Sequence, residues 1–427
     1  MKIEKETLLL YAITDCDNLQ GEALLDRTEK ILANGATILQ YRDKEKKARE
    51  DVKALQALCK KYEVPFIVND DIELAIEIDA DGVHVGQEDL ACHNARERLG
   101  ADKIIGVSAK TVAQAKEAVA NGADYLGVGA LFPSVSKSSS VIARETLKEI
   151  CAAVDVPVVG IGGISEDNIA LMAGTGAAGV AVISALYALP EPSVATKRFA
   201  RKMNNIINGD PAMKGVLLDV DGTIADTAGF YQQLVPNFLK SEGLRVGPDL
   251  PQILAPLSMP ESVGYVKHNY SGLFGVGQVV NHLEHTLEMF YHTEAVAKKD
   301  VEKFIVTARE KGCKIFATSI HDAEVCTTLF DHLGLTSLFD HIISGWDKRF
   351  GGGDSKLFAQ AHPFFDNDIE HVWVFNDGIE GIFAAKGAGY KLAAIYDEHH
   401  SEQEWLQMVK NADVAFMSWE EAISWLK

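Results

Sequence analysis

Short, nearly continuous apolar runs recur along the first half of the chain and alternate with amphipathic stretches. These runs are rich in β-branched residues and occupy 8–14, 37–42, 65–70, 82–86, 103–109, 125–131, 157–163 and 179–186. Such runs are typical of parallel strands that are buried on both faces. Eight strands alternating with helices over roughly 190 residues predict a closed (β/α)8, or TIM, barrel. A doubly wound open sheet is the structural alternative, and the number of strands favours the barrel.

A different pattern follows the last predicted barrel helix, at 190–207. Asn208, Gly209, Asp210 and Pro211 break this helix, so we predict a linker at 208–213 between domains at 1–207 and 214–427. Further strand-like runs occupy 216–220, 314–319, 341–345, 372–377 and 391–397, whereas 228–312 is mostly helical in pattern. The second domain is therefore predicted to be α/β, with a helical block inserted after its first strand.

Composition narrows the classes of function. The 427 residues exceed one ordinary core, and the net charge of −20 argues against nucleic acid or an anionic membrane as partner. The six cysteines are scattered without a C-x-x-C pair, which predicts neither a zinc site nor a disulfide framework. Because no signal-peptide core or membrane-spanning run is visible, we predict a cytoplasmic protein. The sequence is compatible with a homo-oligomer.

Polar residues follow most of the predicted barrel strands, at the end where the function of such barrels gathers. Arg42, Lys44 and Lys137 carry charges that can neutralise phosphate oxygens. Asp70 and Asp89 follow neighbouring strands and are hard oxygen ligands, which suit a Mg²⁺ ion bridging a diphosphate. These residues predict a metal-assisted diphosphate site.

The loops after the last two barrel strands predict a second anion site. Gly162 and Gly163 would open a cradle of backbone N–H groups, and Ser184 would add donors. A lone strand-end aspartate is more often a helix N-cap than a metal ligand, and a lone Gly-Gly is usually a turn. The functional interpretation therefore depends on polar residues at seven of the eight strand ends. We interpret His84 as a structural or pocket-lining histidine.

Seven stretches of the first half resemble thiamine-phosphate synthases, in matching order and spacing over about residues 8–205. They are Q-Y-R-D-K, I-V-N-D-D-I-E-L-A, A-D-G-V-H-V-G-Q-E-D, I-I-G-V-S-A-K-T, A-D-Y-L-G-V-G-A-L-F-P-S-V-S-K, V-V-G-I-G-G-I and G-V-A-V-I-S-A. The resemblance implies a reaction in which a hydroxymethylpyrimidine diphosphate loses PPi. The nitrogen of a thiazole phosphate then attacks the pyrimidine carbocation and gives thiamine monophosphate.

The resemblance also implies roles for the strand-end residues. Mg²⁺ would be held by Asp70 and Asp89, and Ser108 would lie beside the leaving group. The diphosphate would contact Gln40, Arg42, Lys44, Asn69 and Lys137, and the thiazole phosphate would contact Ser134, Ser136, Gly163, Ile183 and Ser184. Relatives usually carry threonines at the two serine positions, and because serine keeps the hydroxyl we expect binding to survive. Relatives also usually carry an acidic residue soon after Lys137, where this chain has serines, so we expect this loop to close differently here.

A related thiazole-isomerising aromatase shares much of this scaffold and is the alternative for the barrel. It uses a different acid–base set and does not need Asp70, Asp89 and Lys137 together. The sequence therefore favours the synthase.

The second domain begins with V-L-L-D-V-D-G-T-I-A-D-T at 216–227, where an apolar strand ends in two aspartates. Asp219 could attack phosphorus, and Asp221 could protonate the leaving alkoxide and later activate water. A turn with capping aspartates would explain D-x-D alone. The whole string, however, resembles haloacid dehalogenase-like phosphatases.

This second resemblance implies further site residues. Mg²⁺ would be held by Asp219, Asp221 and Asp377. Asp377 lies in the stretch V-W-V-F-N-D-G, in which Asn376 stands where many relatives carry an acidic residue. Ser319 would contact a phosphoryl oxygen. The usual Lys-Pro is absent, and we favour Lys356 over Lys348 as the family lysine. The fold implied is a Rossmann-like domain whose helical block, about 228–312, forms a cap that selects the substrate.

Together the two resemblances predict a fused bifunctional enzyme. The barrel would make thiamine monophosphate, and the second domain would remove its phosphate to give thiamine. Two alternatives stay open for the second domain: a binding or regulatory module, and a phosphatase for an unrelated substrate.

Overall fold

The computed structural model describes residues 3–45, 49–86, 91–133, 140–254, 259–270, 272–345 and 355–426. The chain divides into two units, Met1–Gly209 and Asp210–Lys427. Within the described ranges, no helix combines the length and apolar character needed to cross a bilayer.

The first unit is a closed barrel of eight parallel strands, as the pattern of apolar runs predicts. Its last strand pairs with its first through Val180 and Leu10. The strands are β1 (Leu10–Ile13), β2 (Ile38–Tyr41), β3 (Phe66–Asn69), β4 (Gly82–Val85), β5 (Ile104–Ala109), β6 (Tyr125–Val128), β7 (Val158–Ile161) and β8 (Gly179–Val182).

Helices alternate with these strands. They are α1 (Gly21–Leu32), α2 (Val52–Lys61), α3 (Ile72–Glu77), α4 (Ala91–Leu99), α5 (Val112–Ala120), α6 (Arg144–Ala153), α7 (Ser184–Tyr187) and α8 (Pro192–Asn208). A 3-10 turn, Ile169–Met172, connects β7 to β8. Local signals set the ends of α5: Thr111 accepts the Gln114 N–H at 3.2 Å, and Gly122 follows the helix at a φ of 93°.

The second unit contains a six-stranded parallel sheet with the order β11-β10-β9-β12-β13-β14. Its strands are β9 (Gly215–Asp219), β10 (Lys314–Ser319), β11 (His341–Ser344), β12 (Val372–Asn376), β13 (Lys391–Ile395) and β14 (Val414–Phe416). This arrangement confirms the predicted α/β class. The sequence interpretation missed β14, because three residues are too short for a periodic pattern.

Four helices follow β9 and form the cap: α9 (Ala228–Ser241), α10 (Leu250–Leu254), α11 (Met259–Asn269) and α12 (Val276–Thr293). They share a hydrophobic cluster that includes Phe238 and Leu283. The remaining helices are α13 (Val301–Glu310), α14 (Ala323–Leu333), α15 (Ser355–Ala359), α16 (Ile379–Gly387), α17 (Glu402–Asn411) and α18 (Trp419–Leu426).

The structure ends the cap before α13, although the sequence pattern extended it to about residue 312. Phe304 of α13 contacts the rings of Phe375 in β12 and Trp419 in α18, with centroid distances of 4.7 Å in both cases. This helix therefore packs on the sheet. Helical periodicity alone could not separate it from the cap helices, because each is amphipathic.

The predicted linker contains a residue that belongs to the second fold. The buried carboxylate of Asp210 accepts from Trp373 Nε1 at 2.9 Å and lies 2.7 Å from Lys391 Nζ and 2.9 Å from His371 Nδ1. Burial alone would raise the pKa of Asp210, but hydrogen bonds from Lys391, Trp373 and His371 lower it below its ordinary value.

Candidate active sites

The carboxyl ends of the barrel strands carry several of the predicted diphosphate ligands. Gln40 is buried in β2, Asn69 ends β3, and Ser108 lies near the end of β5. Arg42 follows β2 with its guanidinium 3.4 Å from Asp17. Parallel strands bring these positions to one mouth of the barrel.

Asp70 adopts a backbone conformation that few residues tolerate. Its φ is 62°, and its N–H donates to His84 O at 2.8 Å. Aspartate and asparagine enter this left-handed region more readily than other non-glycine residues. The Asp70 carboxylate accepts from Asn69 Nδ2 at 2.7 Å, so one predicted metal ligand lies beside a predicted diphosphate ligand.

Of the remaining residues predicted to bind substrate or metal at this mouth, the structure describes Lys44 but not four others. Lys44 follows β2 and is exposed. The residues Asp89, Ser134, Ser136 and Lys137 lie outside the described residues. The roles of all of these residues stay predictions.

A chain of neutral side chains crosses the barrel interior and connects two predicted site residues. Gln40 Nε2 donates to Tyr11 Oη at 3.0 Å, and Tyr11 Oη lies 2.7 Å from Tyr125 Oη. His84 Nδ1 lies 3.0 Å from Tyr125 Oη, and its Nε2 lies 3.0 Å from Ser108 Oγ. Burial lowers the pKa of His84 to about 4 and raises that of both tyrosines.

Sequence reasoning did not find the tyrosines of this chain, because each lies inside an apolar run and looks like a core residue. The interpretation of His84 as structural or pocket-lining agrees with its contacts. No signal in one sequence connects residues that only the closure of the barrel brings together.

The loop after β7 contains the two glycines of the predicted backbone cradle. Gly162 and Gly163 have φ values of 96° and 65°. A Cβ atom on Gly163 would lie 2.4 Å from Phe132 O and 2.5 Å from Pro133 O, so only glycine fits this close approach. Ile183 follows β8, and Ser184 begins α7 and is exposed.

In the second unit, the loop after Asp219 folds back on itself. The Ala225 N–H donates to Val220 O, and the Gly222 N–H donates to Ala225 O, each at 2.9 Å. Gly222 has a φ of 76°, and a Cβ atom there would lie 2.0 Å from Asp377 Oδ2. Glycine therefore allows Asp377 to approach the backbone of this loop.

Asp377 is held beside this loop by hydrogen bonds. Thr223 Oγ1 donates to Asp377 Oδ1 at 2.6 Å and accepts the Asp377 N–H at 3.0 Å. His400 Nε2 lies 3.5 Å from Asp377 Oδ2. The β9 and β12 ends thus supply two carboxylates at one edge of the sheet.

The electrostatics of this edge fit a divalent cation. Burial raises the pKa of Asp219 well above its usual range, and the charges of Asp377 and Asp221 raise it further. Asn376 Oδ1 accepts the Gly378 N–H at 2.7 Å, and its carboxamide also hydrogen-bonds to Asp219. Among the described residues, no three His, Cys, Asp or Glu side chains form a complete metal site.

The carboxylate of Asp221 contacts other groups. Tyr291 Oη donates to Asp221 Oδ1 at 2.5 Å, and His321 Nε2 lies 3.4 Å from Oδ2. Burial alone would raise the pKa of Asp221, but the hydrogen bond and charge of His321 and hydrogen bonds from Tyr291 and Thr227 lower it. The sequence analysis also predicted the Asp221 carboxylate as a Mg²⁺ ligand.

Ser319 and the candidate lysines have different settings. Thr318 pairs with Asp219, so the next residue, Ser319, lies at the same sheet edge, and its hydroxyl accepts the His321 N–H at 3.0 Å. Lys356 is exposed on α15, and Lys348 lies outside the described residues. The choice between these lysines stays a prediction.

Three residues near Asp221 were not predicted as site residues: Tyr231, Tyr291 and His321. Tyr231 Oη lies 2.7 Å from His321 Nε2. The histidine follows a predicted strand end two positions after Ser319, which was a usable signal. The tyrosines come from separate cap helices and carry no sequence signal.

Family models match both halves of the chain. Residues 10–186 match the model described as thiamine monophosphate synthase, and residues 213–389 match the model described as haloacid dehalogenase-like hydrolase. A thiamine-phosphate synthase of Alkaliphilus oremlandii is 46% identical over 182 residues, which cover 42% of this chain and 87% of that protein. One from Bacillus cereus is 44% identical over 216 residues, covering 48% and 97%.

Solved structures resemble each half. A thiamine phosphate pyrophosphorylase from Pyrococcus furiosus has 38% identity and a TM-score of 0.42, covering 47% of this chain and 96% of that one. A putative β-phosphoglucomutase from Thermotoga maritima has 19% identity and a TM-score of 0.44, covering 50% and 97%.

Proposed function

Because this chain belongs to the thiamine-phosphate synthase family through its first unit and carries a haloacid dehalogenase-like hydrolase domain in its second, we propose that it catalyses two consecutive reactions. The barrel joins the pyrimidine diphosphate to the thiazole phosphate and releases PPi. The second unit hydrolyses the product, thiamine monophosphate, to thiamine. The observation that carries the second step is the Asp219 and Asp221 pair, which suits a phosphate monoester, the class of compound that the barrel makes.

In the barrel, the chain supplies charge and orientation and no nucleophile. Arg42, Lys44 and Lys137 neutralise the departing diphosphate, which Gln40 and Asn69 also contact. The neutral chain through the interior holds Gln40 and the Ser108 hydroxyl in place. Gln40 is hydrogen-bonded to Tyr11 and Ser108 to His84, and both of these partners are hydrogen-bonded to Tyr125. The thiazole phosphate is bound by the glycine loop at Gly163, by Ile183, and by the hydroxyls of Ser134, Ser136 and Ser184.

A Mg²⁺ ion at the mouth would be held by Asp70 and Asp89. When bound, it would stabilise negative charge on the diphosphate. The position of the Asp70 carboxylate beside Asn69 supports this assignment.

In the second unit, Asp219 attacks the phosphorus of the ester while the ester oxygen leaves with a proton from Asp221. This gives an aspartyl phosphate and an alcohol. Asp221 then takes a proton from water as the water oxygen attacks phosphorus, which frees phosphate and Asp219. The hydroxyl of Ser319 and the charge of Lys356 orient the phosphoryl group.

A Mg²⁺ ion in this site would be held by the Asp219 and Asp377 carboxylates. When bound, it would favour ionised Asp219 and neutralise phosphoryl oxygens. The mutual repulsion of these carboxylates supports this assignment. We assign the Asp221 side chain to proton transfer, because Tyr291 and His321 contact its carboxylate.

One experiment tests the proposal against its rivals. The purified chain receives Mg²⁺, the pyrimidine diphosphate and the thiazole phosphate, and the products are separated over time. We expect thiamine monophosphate to appear first and thiamine to follow. Accumulation of thiamine monophosphate alone would refute the second step. Phosphate release from a nitrophenyl ester would then distinguish a phosphatase of another substrate from a non-catalytic module.

A further inference from the structure

Two side chains of the cap reach the acid–base carboxylate of the second unit. Tyr291, near the end of α12, is fully buried and donates to Asp221 Oδ1 at 2.5 Å. Tyr231, in the first turn of α9, lies 2.7 Å from His321 Nε2, and this nitrogen lies 3.4 Å from Asp221 Oδ2. Both carboxylate oxygens therefore have a partner that the cap supplies or contacts.

The sheet supplies the other partners. Asp221 and Thr227 follow β9, and His321 follows β10. The Thr227 hydroxyl accepts the Gly222 N–H at 3.1 Å and hydrogen-bonds to Asp221. A carboxylate torsion is broad when free, so its orientation here depends on donors from both the sheet and the cap.

We propose that Tyr291 is a positioning residue that orients the Asp221 carboxylate for proton transfer when the cap is packed on the sheet. The proposal rests on the proposed phosphatase function, since proton transfer is needed only if an ester is cleaved. Its consequence is that the cap contributes to the acid–base step as well as to substrate choice.

The two proton transfers differ in how they depend on the leaving group. In the first, the P–O bond of the ester breaks, the bond from Asp219 to phosphorus forms, and the leaving oxygen takes a proton from Asp221. An alcohol such as thiamine needs this proton, whereas nitrophenolate leaves as a stable anion. The second transfer, from water to Asp221, is the same for every ester.

The test is Tyr291→Phe, measured as kcat/KM on thiamine monophosphate and on 4-nitrophenyl phosphate. This ratio reports steps up to release of the alcohol, so the water step does not enter. We expect a loss of about 10- to 100-fold on thiamine monophosphate, because general acid–base catalysis contributes about 10²- to 10⁴-fold. The kcat/KM on the nitrophenyl ester should change less than about threefold, because its leaving group does not need a proton.

Tyr265→Phe is the matched control, because it removes the same hydroxyl from a residue that packs against the cap's hydrophobic cluster. It should leave both ratios unchanged. Equal losses on both esters in Tyr291→Phe, or no loss on either, would overturn the proposal. A structural defect produces equal losses, so it cannot imitate the expected result.

The proposed substrate can fail separately. If the wild-type chain hydrolyses the nitrophenyl ester and leaves thiamine monophosphate intact, the substrate is wrong, and 2-glycerophosphate replaces it as the alkyl ester in the same comparison. A selective loss on 2-glycerophosphate would still support the role of Tyr291. A wild-type chain that cleaves none of these esters would overturn both proposals.

Discussion

The two units bury their polar groups in opposite ways. The barrel interior holds a neutral chain from Gln40 to Ser108, in which burial keeps His84 uncharged at neutral pH. The sheet edge of the second unit holds Asp219, Asp221 and Asp377, whose charges interact. The barrel interior contains hydrogen bonds between neutral groups, whereas the sheet edge of the second unit contains neighbouring carboxylates.

This difference matches the chemistry proposed for each site. A departing diphosphate is an anion, and neutral donors can orient its neighbours without repelling it. A phosphatase of the aspartate type needs a carboxylate nucleophile, and crowding of further carboxylates creates a place for a divalent cation. A negative net charge of −20 is therefore compatible with two phosphate sites, since each is built locally.

The largest expected effect separates the two sites through Asp219. Asp219→Asn keeps the shape of the side chain but is a far weaker nucleophile and a weaker metal ligand. Phosphatase turnover should fall to background, while the barrel reaction continues. Given both barrel substrates, this variant should accumulate thiamine monophosphate, measured by product separation.

Asp226→Asn is the matched control for that variant. Asp226 lies in the same loop and is exposed, with Lys298 Nζ 3.0 Å from its carboxylate. Lys298 keeps its ion pair with the buried carboxylate of Asp397 at 2.6 Å in this variant, so the loop should hold and thiamine should still form. Continued phosphate release by Asp219→Asn would refute the nucleophile assignment.

The converse variant is Asp70→Asn, which should stop coupling and spare the phosphatase. Asparagine tolerates the φ of 62° at this position, so the loss reports the charge and not the backbone. Asp89→Ala should do the same. Lys137→Ala should raise the activation free energy of PPi departure by about 2–4 kcal/mol, as for other single electrostatic stabilisers.

Asp71→Asn controls for the neighbouring charge. Asp71 caps α3 by accepting the Leu74 N–H at 2.9 Å, a role that asparagine retains. Coupling should persist in this variant when PPi release is followed with the two substrates. Unchanged Mg²⁺-dependent synthesis in Asp70→Asn and Asp89→Ala would rule out the metal assignment.

The fold was predictable wherever one pattern repeats. Eight apolar runs in succession left few arrangements other than a barrel, and each predicted run contains a strand. Two features of the second unit were not predictable: β14 is too short for a period, and α13 shares its amphipathic pattern with the cap helices. The contact of Phe304 with Phe375 shows that α13 packs on the sheet.

The candidate sites divide in the same way. The positions of strand-end residues could be predicted, Asp70 at the barrel mouth and Asp219 and Asp377 at the edge of the second sheet, because parallel strands bring their carboxyl ends to one edge of each sheet. Their roles stay predictions. Tyr11 and Tyr125 could not, since a tyrosine inside an apolar run looks like a core residue. Tyr291 could not either, because its contact with Asp221 depends on how the cap folds back over the sheet.

A third variant tests how the second unit tolerates buried charge away from its site. Asp210→Asn removes the charge that faces Lys391 and His371. Because Lys391 and His371 are partly exposed, losing the hydrogen bonds to this charge should cost about 1–3 kcal/mol, so peptides from β12 and β13 should lose protection in hydrogen exchange. Peptides from the barrel serve as the internal control and should not change. Equal protection in wild type and variant would contradict a stabilising role.

Acid should reduce the difference between wild type and Asp210→Asn. The pKa of Asp210 is lowered in the folded chain, so its contribution to stability is present above the ordinary aspartate pKa and is lost as pH falls through the folded value. In wild type, β12 and β13 should therefore lose protection only in strong acid. The Asp210→Asn variant should lack this component of the acid response.

The smallest expected effect is in the barrel, and it occurs at milder pH. Burial lowers the pKa of His84 to about 4 in the folded chain, whereas an unfolded histidine titrates near about 6.5. The unfolded state therefore takes up the proton first, and stability is lost as pH falls from the unfolded value toward the folded one. Between about pH 7 and pH 5 the loss should be roughly 2 kcal/mol, seen as faster hydrogen exchange of β4 and β6. His84→Asn removes the titrating group and should flatten this dependence, even if its overall stability is lower. An unchanged slope in His84→Asn would show that His84 is not the group responsible, and the contrast between a neutral barrel interior and a charged second unit would lose its clearest signature.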